Sequence, residues 1–424
     1  MTISFYTIGC RLNQAETAVL QNHFEQSGHR IVEFGQSADI VVVNTCTVTE
    51  RGDRDTRKTV RRIQRECPDA RIALIGCQAQ TQAGQLTELP GVHWVVGNAH
   101  KMNLPAIIDT HTSEPVADNS PIEAHPFILP AAGIDRQHTR ANLKIQDGCN
   151  FFCTFCEVPY ARGRARSRVF DDILQEAQQL VRAGHQEIVL SGINIGTYQY
   201  KDKTLTDVIR ALEPIEGLQR IRISSIEGKT VDEALLHLMA NSDKICRHLH
   251  ISMQSGSDTI LKAMKRRYTV REFSEYLQQA VEIVPNISLG ADILVGFPGE
   301  TDELFKETYE TARDLPFSYF HVFRYSDRLN NKSRLFPGKV DADIAEERSH
   351  VLRGLGARKR RLYLQQNIGR SEPVLFEQRK NGLWDGLTDT YIRVRVPSQK
   401  ALENTMRRVK LKAIKDNSIQ GILI

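Results

Sequence analysis

The stretch Cys149-Asn-Phe-Phe-Cys153-Thr-Phe-Cys156 puts three cysteines into eight residues, directly after the apolar-alternating run from Ala141 to Gln146. Thiolates this close together in one loop suit metal ligation better than core packing. The opening Met1-Thr-Ile-Ser-Phe-Tyr-Thr-Ile-Gly has no basic leader followed by an apolar core and reads as a first strand, so a disulfide framework of the secreted kind is not expected. Structural zinc takes four closed ligands, and no fourth Cys or His stands near enough in sequence to complete a compact site. Three thiolates fit an iron–sulfur cubane better: three irons are held by protein, and the fourth is left open to bind another molecule.

The CxxxCxxC spacing, with Phe155 between the last two cysteines, resembles the radical S-adenosylmethionine superfamily. The resemblance implies that the amino and carboxylate groups of S-adenosylmethionine chelate the open iron. One electron from the cluster then cleaves the sulfonium bond and releases a 5′-deoxyadenosyl radical.

A chain of 424 residues exceeds one ordinary core, so two or three domains are expected. Hydrophobic content of 41% and charged content of 25%, with no long apolar run, describe a soluble globular protein and argue against a membrane span. A cytoplasmic protein is expected. The formal charge is +5, and residues 370–424 hold eleven Lys and Arg against six Asp and Glu, so this end carries the whole excess. A basic end-domain on a neutral chain points to a polyanionic partner, with a solvated basic surface as the plain alternative.

From residue 1 to 102 the pattern is strand followed by helix, three times over, and then a last strand. Apolar runs Ile3 to Ile8, Asp39 to Val43 and Arg71 to Ile75 each lead into a cysteine, at Cys10, Cys46 and Cys77, and Val92 to Val96 supplies a further strand. Gln14 to Gln26 and Asp53 to Glu66 have helical periodicity. This alternation predicts a doubly wound parallel sheet, whose strand ends line one edge and would bring the three cysteines together. A second cluster with an open iron is the natural inference; zinc with a water as fourth ligand is the competitor. Cys67 and Cys246 fall outside both sets and read as structural.

The strings GCRLNQAE, NTCTVTERGDRDTR and IGCQAQ around these cysteines resemble the methylthiotransferase family. Within it, NTCTVT followed by Asp53-Arg54 is similar to the branch acting on threonylcarbamoylated adenosine beside the tRNA anticodon. The resemblance implies two 4Fe-4S clusters and S-adenosylmethionine as cofactors. The Cys149 set would generate the radical and the Cys10 set would hold the sulfur to be donated. It also implies a tRNA anticodon stem-loop, an external one-electron reductant and a sulfur donor as partners. Competing targets within the family are isopentenyladenosine in tRNA and a ribosomal-protein aspartate. From a different class, an electron-transfer or RNA-binding iron–sulfur protein without radical chemistry is the alternative.

Residues 103–140 have little periodicity and read as a linker. From 141 to 336 six strand–helix units, with strands Asn142 to Gln146, Glu187 to Ser191, Arg220 to Ser224, Leu249 to Met253, Gly290 to Val295 and Tyr319 to Tyr325, fit the partial (β/α)6 barrel of the radical S-adenosylmethionine enzymes. Chemistry should then gather at the strand ends. By resemblance, the Phe155 backbone would lie near the adenine, Gly192 near the methionyl amine, and Ser224, Glu227, Gln254 and Asp292 would contact ribose or carboxylate. The strings QSGSDTILKAMKRRYT and GFPGET match the methylthiotransferase pattern; Ser252-Met253 and Glu157 depart from it. The run Arg162-Gly-Arg164-Ala-Arg166-Ser-Arg168 reads either as a solvated face or as a set of phosphate contacts for RNA, and Lys265-Arg266-Arg267 as a second such place. Residues 337–367 form a bridging helix. Residues 368–424 alternate in short runs and predict a small β-barrel, similar to a TRAM domain in position, length and charge. The resemblance implies tRNA binding, with Trp384 or Tyr391 stacking on bases.

Overall fold

The run Ile40-Val-Val-Val-Asn-Thr45 is buried at every position, as expected for an interior strand of a parallel sheet covered on both faces. The computed structural model describes residues 1–110, 114–135 and 138–424. In it, Ile40–Thr45 is an interior strand of a six-stranded parallel sheet with the order Arg30–Val32, Thr2–Thr7, Ile40–Thr45, Arg71–Gly76, Val92–Val96 and Val116–Asp118. Thr7 is opposite Asn44, and Thr45 opposite Gly76. The strands that precede Cys10, Cys46 and Cys77 therefore end at one edge. Helices Arg11–Gln26 and Glu50–Glu66 connect them. The second begins at Thr49, whose hydroxyl accepts from the Gly52 amide.

The expected linker is partly regular structure. Leu104–Asp109 is helical, and Val116–Asp118 extends the edge of the sheet. Three residues are too few to show a period. Part of the linker expectation, at 111–113 and 136–137, lies outside the described residues.

The central region is a parallel wall in two sheets. Arg140–Lys144, Glu187–Ser191 and Arg220–Ile223 form one; Ser225–Ile226, His248–Gln254, Ser288–Val295 and Tyr319–Arg324 form the other. The third of the six expected strands is thus broken at Ser224. One hydrophobic core runs behind both sheets, from Ala141 and Ile188 through Ile221 to Leu249, Ile293 and Phe320. This is the partial barrel that the alternation predicts.

Helix Ala342–Asn367 leads to a closed five-stranded barrel in the order Ser371–Lys380, Leu383–Thr388, Arg393–Pro397, Ser418–Leu423, Met406–Lys415. It is docked on the central wall. Arg220 donates to Leu387 O at 2.8 Å, Arg222 to Asp389 O at 2.8 Å and Thr388 O at 3.0 Å, and Arg247 pairs with Asp389 at 2.8 Å. Two expectations for this barrel are corrected here. Trp384 belongs to the barrel core, 7% exposed, because the pleat turns it inward, so it offers no face to a base. Tyr391 packs in a cluster of protein rings, 4.7 Å from His248 and 5.9 Å from Tyr319, and Arg11 donates to its hydroxyl at 2.8 Å. Among the described residues no helix is long and apolar enough to cross a membrane.

Candidate functional site

At the edge of the N-terminal sheet, Cys10 precedes the first turn of helix Arg11–Gln26, Cys46 follows the strand end Thr45, and Cys77 opens helix Cys77–Thr81. The packing between the first two is close. Gly9 has φ of +106°, and a Cβ there would come within 2.7 Å of the Cys46 Cβ, so only glycine lets the Cys10 turn cross Cys46. The Asn98 amide stands 3.6 Å from Cys77 Sγ and also donates to Ala161 O at 2.6 Å. One side chain therefore joins this cysteine set to the helix Val158–Arg162 that follows the other.

In that other set, the Cys149 amide donates to Gly163 O, the Phe151 amide approaches Cys149 Sγ at 3.5 Å, and the Cys156 amide donates to Cys153 O at 3.0 Å. Arg266 donates to Cys153 Sγ at 3.5 Å and pairs with Glu227, while Tyr268 steadies the guanidinium at 3.2 Å. Arg266, expected from the sequence to contact RNA phosphates, is instead 4% exposed and faces sulfur.

Both sets fit an iron–sulfur cluster. Enclosure, and then the proximity of Cys77, pushes the Cys46 thiol up to about 12. Enclosure, and then Cys153, does the same to Cys156. Neighbouring thiols that resist ionisation in this way become thiolates when a cation sits among them, and soft sulfur ligands select iron–sulfur clusters or zinc.

The residues expected around S-adenosylmethionine have distinct surroundings. Phe155 O accepts from the Asn331 amide. A Cβ on Gly192 would meet Ile195 Cγ2 at 2.6 Å and Gln146 Oε1 at 3.0 Å. Gln146 in turn accepts from Ile193 and Asn194 and donates to Asp147 O and Gly148 O, which ties the Gly192 loop to the start of the cysteine loop. Ser224 sits at the break between the two sheets, and its buried hydroxyl has no hydrogen-bond partner among the described residues. Gln254 has φ of +65° at a register shift in its strand. Asp292 is engaged by protein: its Oδ1 accepts from His250 at 2.9 Å and His321 at 3.3 Å, and these groups hold the carboxyl below its usual range against the opposing effect of burial. The three ligand atoms lie within 4.8 Å of one another, close enough to share a metal ion.

The arginine run does not form an open RNA face. Arg162 is buried, with Glu16 Oε1 and Asp147 Oδ1 each at 3.0 Å and Asn13 Oδ1 at 2.6 Å. Arg168 is buried against Asp172 at 2.5 Å and against Glu176. Arg166 pairs with Asp147 at 3.3 Å. Arg164 is exposed, lying 4.4 Å over the Phe152 ring. Burying paired cations is possible only because each meets a carboxylate. Lys101 and Lys144 complete the network on Glu16, and Lys101 also reaches Asn98 at 2.7 Å.

A cavity of about 290 Å³ lies between the first turns of helix Glu50–Glu66 and the loop after the last central strand. Arg328 crosses it to Asp53 and Thr47, both at 2.6 Å, and Asn330 donates to Glu157, next to Cys156, at 2.6 Å.

A barrel of this kind with a three-cysteine loop defines a radical S-adenosylmethionine enzyme, and residues 143–312 match the Radical SAM superfamily. Residues 2–97 match a family described as Uncharacterized protein family UPF0004. The chain is 38% identical to the Threonylcarbamoyladenosine tRNA methylthiotransferase MtaB of Bacillus subtilis over 93% of its own length and 90% of the relative's, and 37% identical to that of Aquifex aeolicus over 96% and 99%. A tRNA-2-methylthio-N(6)-dimethylallyladenosine synthase of Zymomonas mobilis is 34% identical over 88% and 85%. The chain belongs to the radical S-adenosylmethionine methylthiotransferase family. Among solved structures, the radical S-adenosylmethionine methyltransferase TsrM from Kitasatospora setae shares the fold, with a TM-score of 0.58 and 16% identity over 76% of this chain and 74% of that one.

Proposed function

We propose that this chain converts N6-threonylcarbamoyladenosine at position 37 of tRNA, beside the anticodon, to its 2-methylthio form, in the cytoplasm, with S-adenosylmethionine and two 4Fe-4S clusters. The observation that carries the reading is Asn98: it contacts Cys77 of one cysteine set and the helix that follows the other, which supports assigning both sets to one site. The similarity to relatives named for threonylcarbamoyladenosine supports the choice of nucleoside.

Cys149, Cys153 and Cys156 would hold the cluster that binds S-adenosylmethionine, and Cys10, Cys46 and Cys77 the one that carries sulfur. When bound, these groups supply the electron for reductive cleavage and the sulfur to be donated, drawing on an external reductant and a sulfur donor. Around them, Arg266 holds Cys153 and Glu227, Gln146 holds the Gly192 loop, and the Ser224 hydroxyl is available to the cofactor's polar groups. The C-terminal barrel, TRAM-like in position and charge, would hold the anticodon stem-loop.

The test is mass spectrometry of nucleosides from tRNA carrying threonylcarbamoyladenosine, incubated anaerobically with reconstituted protein, reductant, sulfide and S-adenosylmethionine. A 2-methylthio product that disappears with Cys46→Ala supports the reading. Release of 5′-deoxyadenosine without product turns it to isopentenyladenosine, the second reading, which the relatives named for dimethylallyladenosine favour.

A further inference from the structure

Helix Glu50–Glu66 carries seven Lys and Arg in seventeen residues, ERGDRDTRKTVRRIQRE. Its buried side is made of Gly52, Thr56, Thr59, Val60 and Ile63. On the other side, some of the charge is neutralised within the helix: Arg51 pairs with Asp55 at 3.8 Å, Arg62 with Glu66 at 2.8 Å and Arg65 with Glu66 at 3.2 Å. Arg54, Arg57, Lys58 and Arg61 are exposed and have no ion pair or hydrogen bond among the described residues. Their spacing of three, four and seven residues places them on one face, rising about 10 Å along the axis. Four unpaired cations in a row repel one another, an arrangement that a polyanion relieves.

Its position makes this row more than a solvated face. The helix starts four residues after Cys46, and Arg54 and Arg57 line the cavity that also holds Arg328 and Glu157, the neighbour of Cys156. The row therefore starts at this cavity, one residue from Cys156 at Glu157, and runs away from it along the helix. The cations of the run from Arg162 to Arg168 that lie nearest the cysteines are already neutralised by Glu16, Asp147, Asp172 and Glu176.

We propose that Arg54, Arg57, Lys58 and Arg61 form a phosphate-binding track for the ribose-phosphate backbone of the tRNA anticodon arm. The track positions the target nucleoside at the cysteine sets without reading base identity. This rests on the reading of tRNA as substrate. Guanidinium groups suit the role because each can offer two parallel N–H donors to one phosphate.

The test is fluorescence polarisation of the full chain with a labelled anticodon stem-loop carrying threonylcarbamoyladenosine, between about 50 and about 200 mM salt. Arg57→Gln/Lys58→Gln/Arg61→Gln is expected to weaken binding about tenfold or more and to lower the slope of log affinity against log salt by about two. Arg51→Gln/Arg62→Gln, on the same helix but already ion-paired, is the control and should change affinity less than about threefold. Equal losses in both variants, or wild-type affinity and slope in the first, overturn the proposal. Wild-type protein that binds the stem-loop yet makes no methylthio product sinks the substrate reading and leaves the track standing. Product formation with a track variant that binds normally does the reverse, and wild-type protein without affinity for the RNA sinks both.

Discussion

Arg162 places Nη2 2.6 Å from Asn13 Oδ1 and Nη1 3.0 Å from Glu16 Oε1, so the helix that follows one cysteine set is bonded to the helix Arg11–Gln26 that follows Cys10. Glu16 is fully buried and also bears Lys101 and Lys144, while Asp147 accepts from the same Nη1 at 3.0 Å. Removing Arg162 would leave buried carboxylates short of a partner, a change that costs about 3–5 kcal/mol. Arg162→Met is therefore expected to lower the urea midpoint sharply. Arg162→Lys, which keeps the charge but loses the fork, should fall between.

The two cysteine sets should fail separately. Cys149→Ala is expected to abolish 5′-deoxyadenosine release. Cys46→Ala should retain that release and lose only the methylthio product. On the proposed assignment of one cubane to each three-cysteine set, reconstituted wild type should hold about eight irons and each variant about four. Iron analysis reads this without turnover. Full iron in Cys46→Ala would mean that the N-terminal set is not a cluster site.

The sheet and partial barrel were legible because apolar runs and helical periods alternate over long stretches, and because three successive strands each run into a cysteine. The arginine run was misread for a physical reason. Its counter-charges at Glu16, Asp147 and Glu176 lie on other elements, and Glu16 is 146 residues away from Arg162. Local composition cannot show such pairing. The Asp385-Gly386 pair reads as a turn, so the sequence does not show that Trp384 lies on strand Leu383–Thr388 and faces the barrel core. Strand Val116–Asp118 is too short to signal at all.

Arg266 had no local signal as a sulfur partner, yet it donates to Cys153 Sγ at 3.5 Å with Glu227 as its counter-ion. A cationic donor to a ligating sulfur favours the more negative, reduced state of a cluster. Arg266→Gln should lower the reduction potential of the Cys149-set cluster by about 40–60 mV, the equivalent of roughly 1 kcal/mol in a one-electron couple. An EPR redox titration of the Cys46→Ala background, where this cluster is expected alone, gives the value. An unchanged potential would reduce Arg266 to a holder of Glu227.

Glu187 predicts an acid-sensitive joint between the central wall and the C-terminal barrel. Burial pushes its carboxyl up, but Arg222 at 2.6 Å and Arg220 at 3.7 Å more than offset this and bring it down to about 2. The same Arg222 donates to Thr388 O and Asp389 O of the C-terminal barrel. Unfolded, the carboxyl titrates near 4.5. Between these values the unfolded chain binds more protons than the folded one, so stability falls as pH drops through this range and is fully present above it. The shift corresponds to about 3 kcal/mol. Glu187→Gln should lose stability of this order at neutral pH and depend less on pH between 4.5 and 2 than wild type does. Urea denaturation across that range, followed at Trp384 in the C-terminal barrel, measures the difference, and parallel pH profiles for the two proteins would place the acid sensitivity elsewhere.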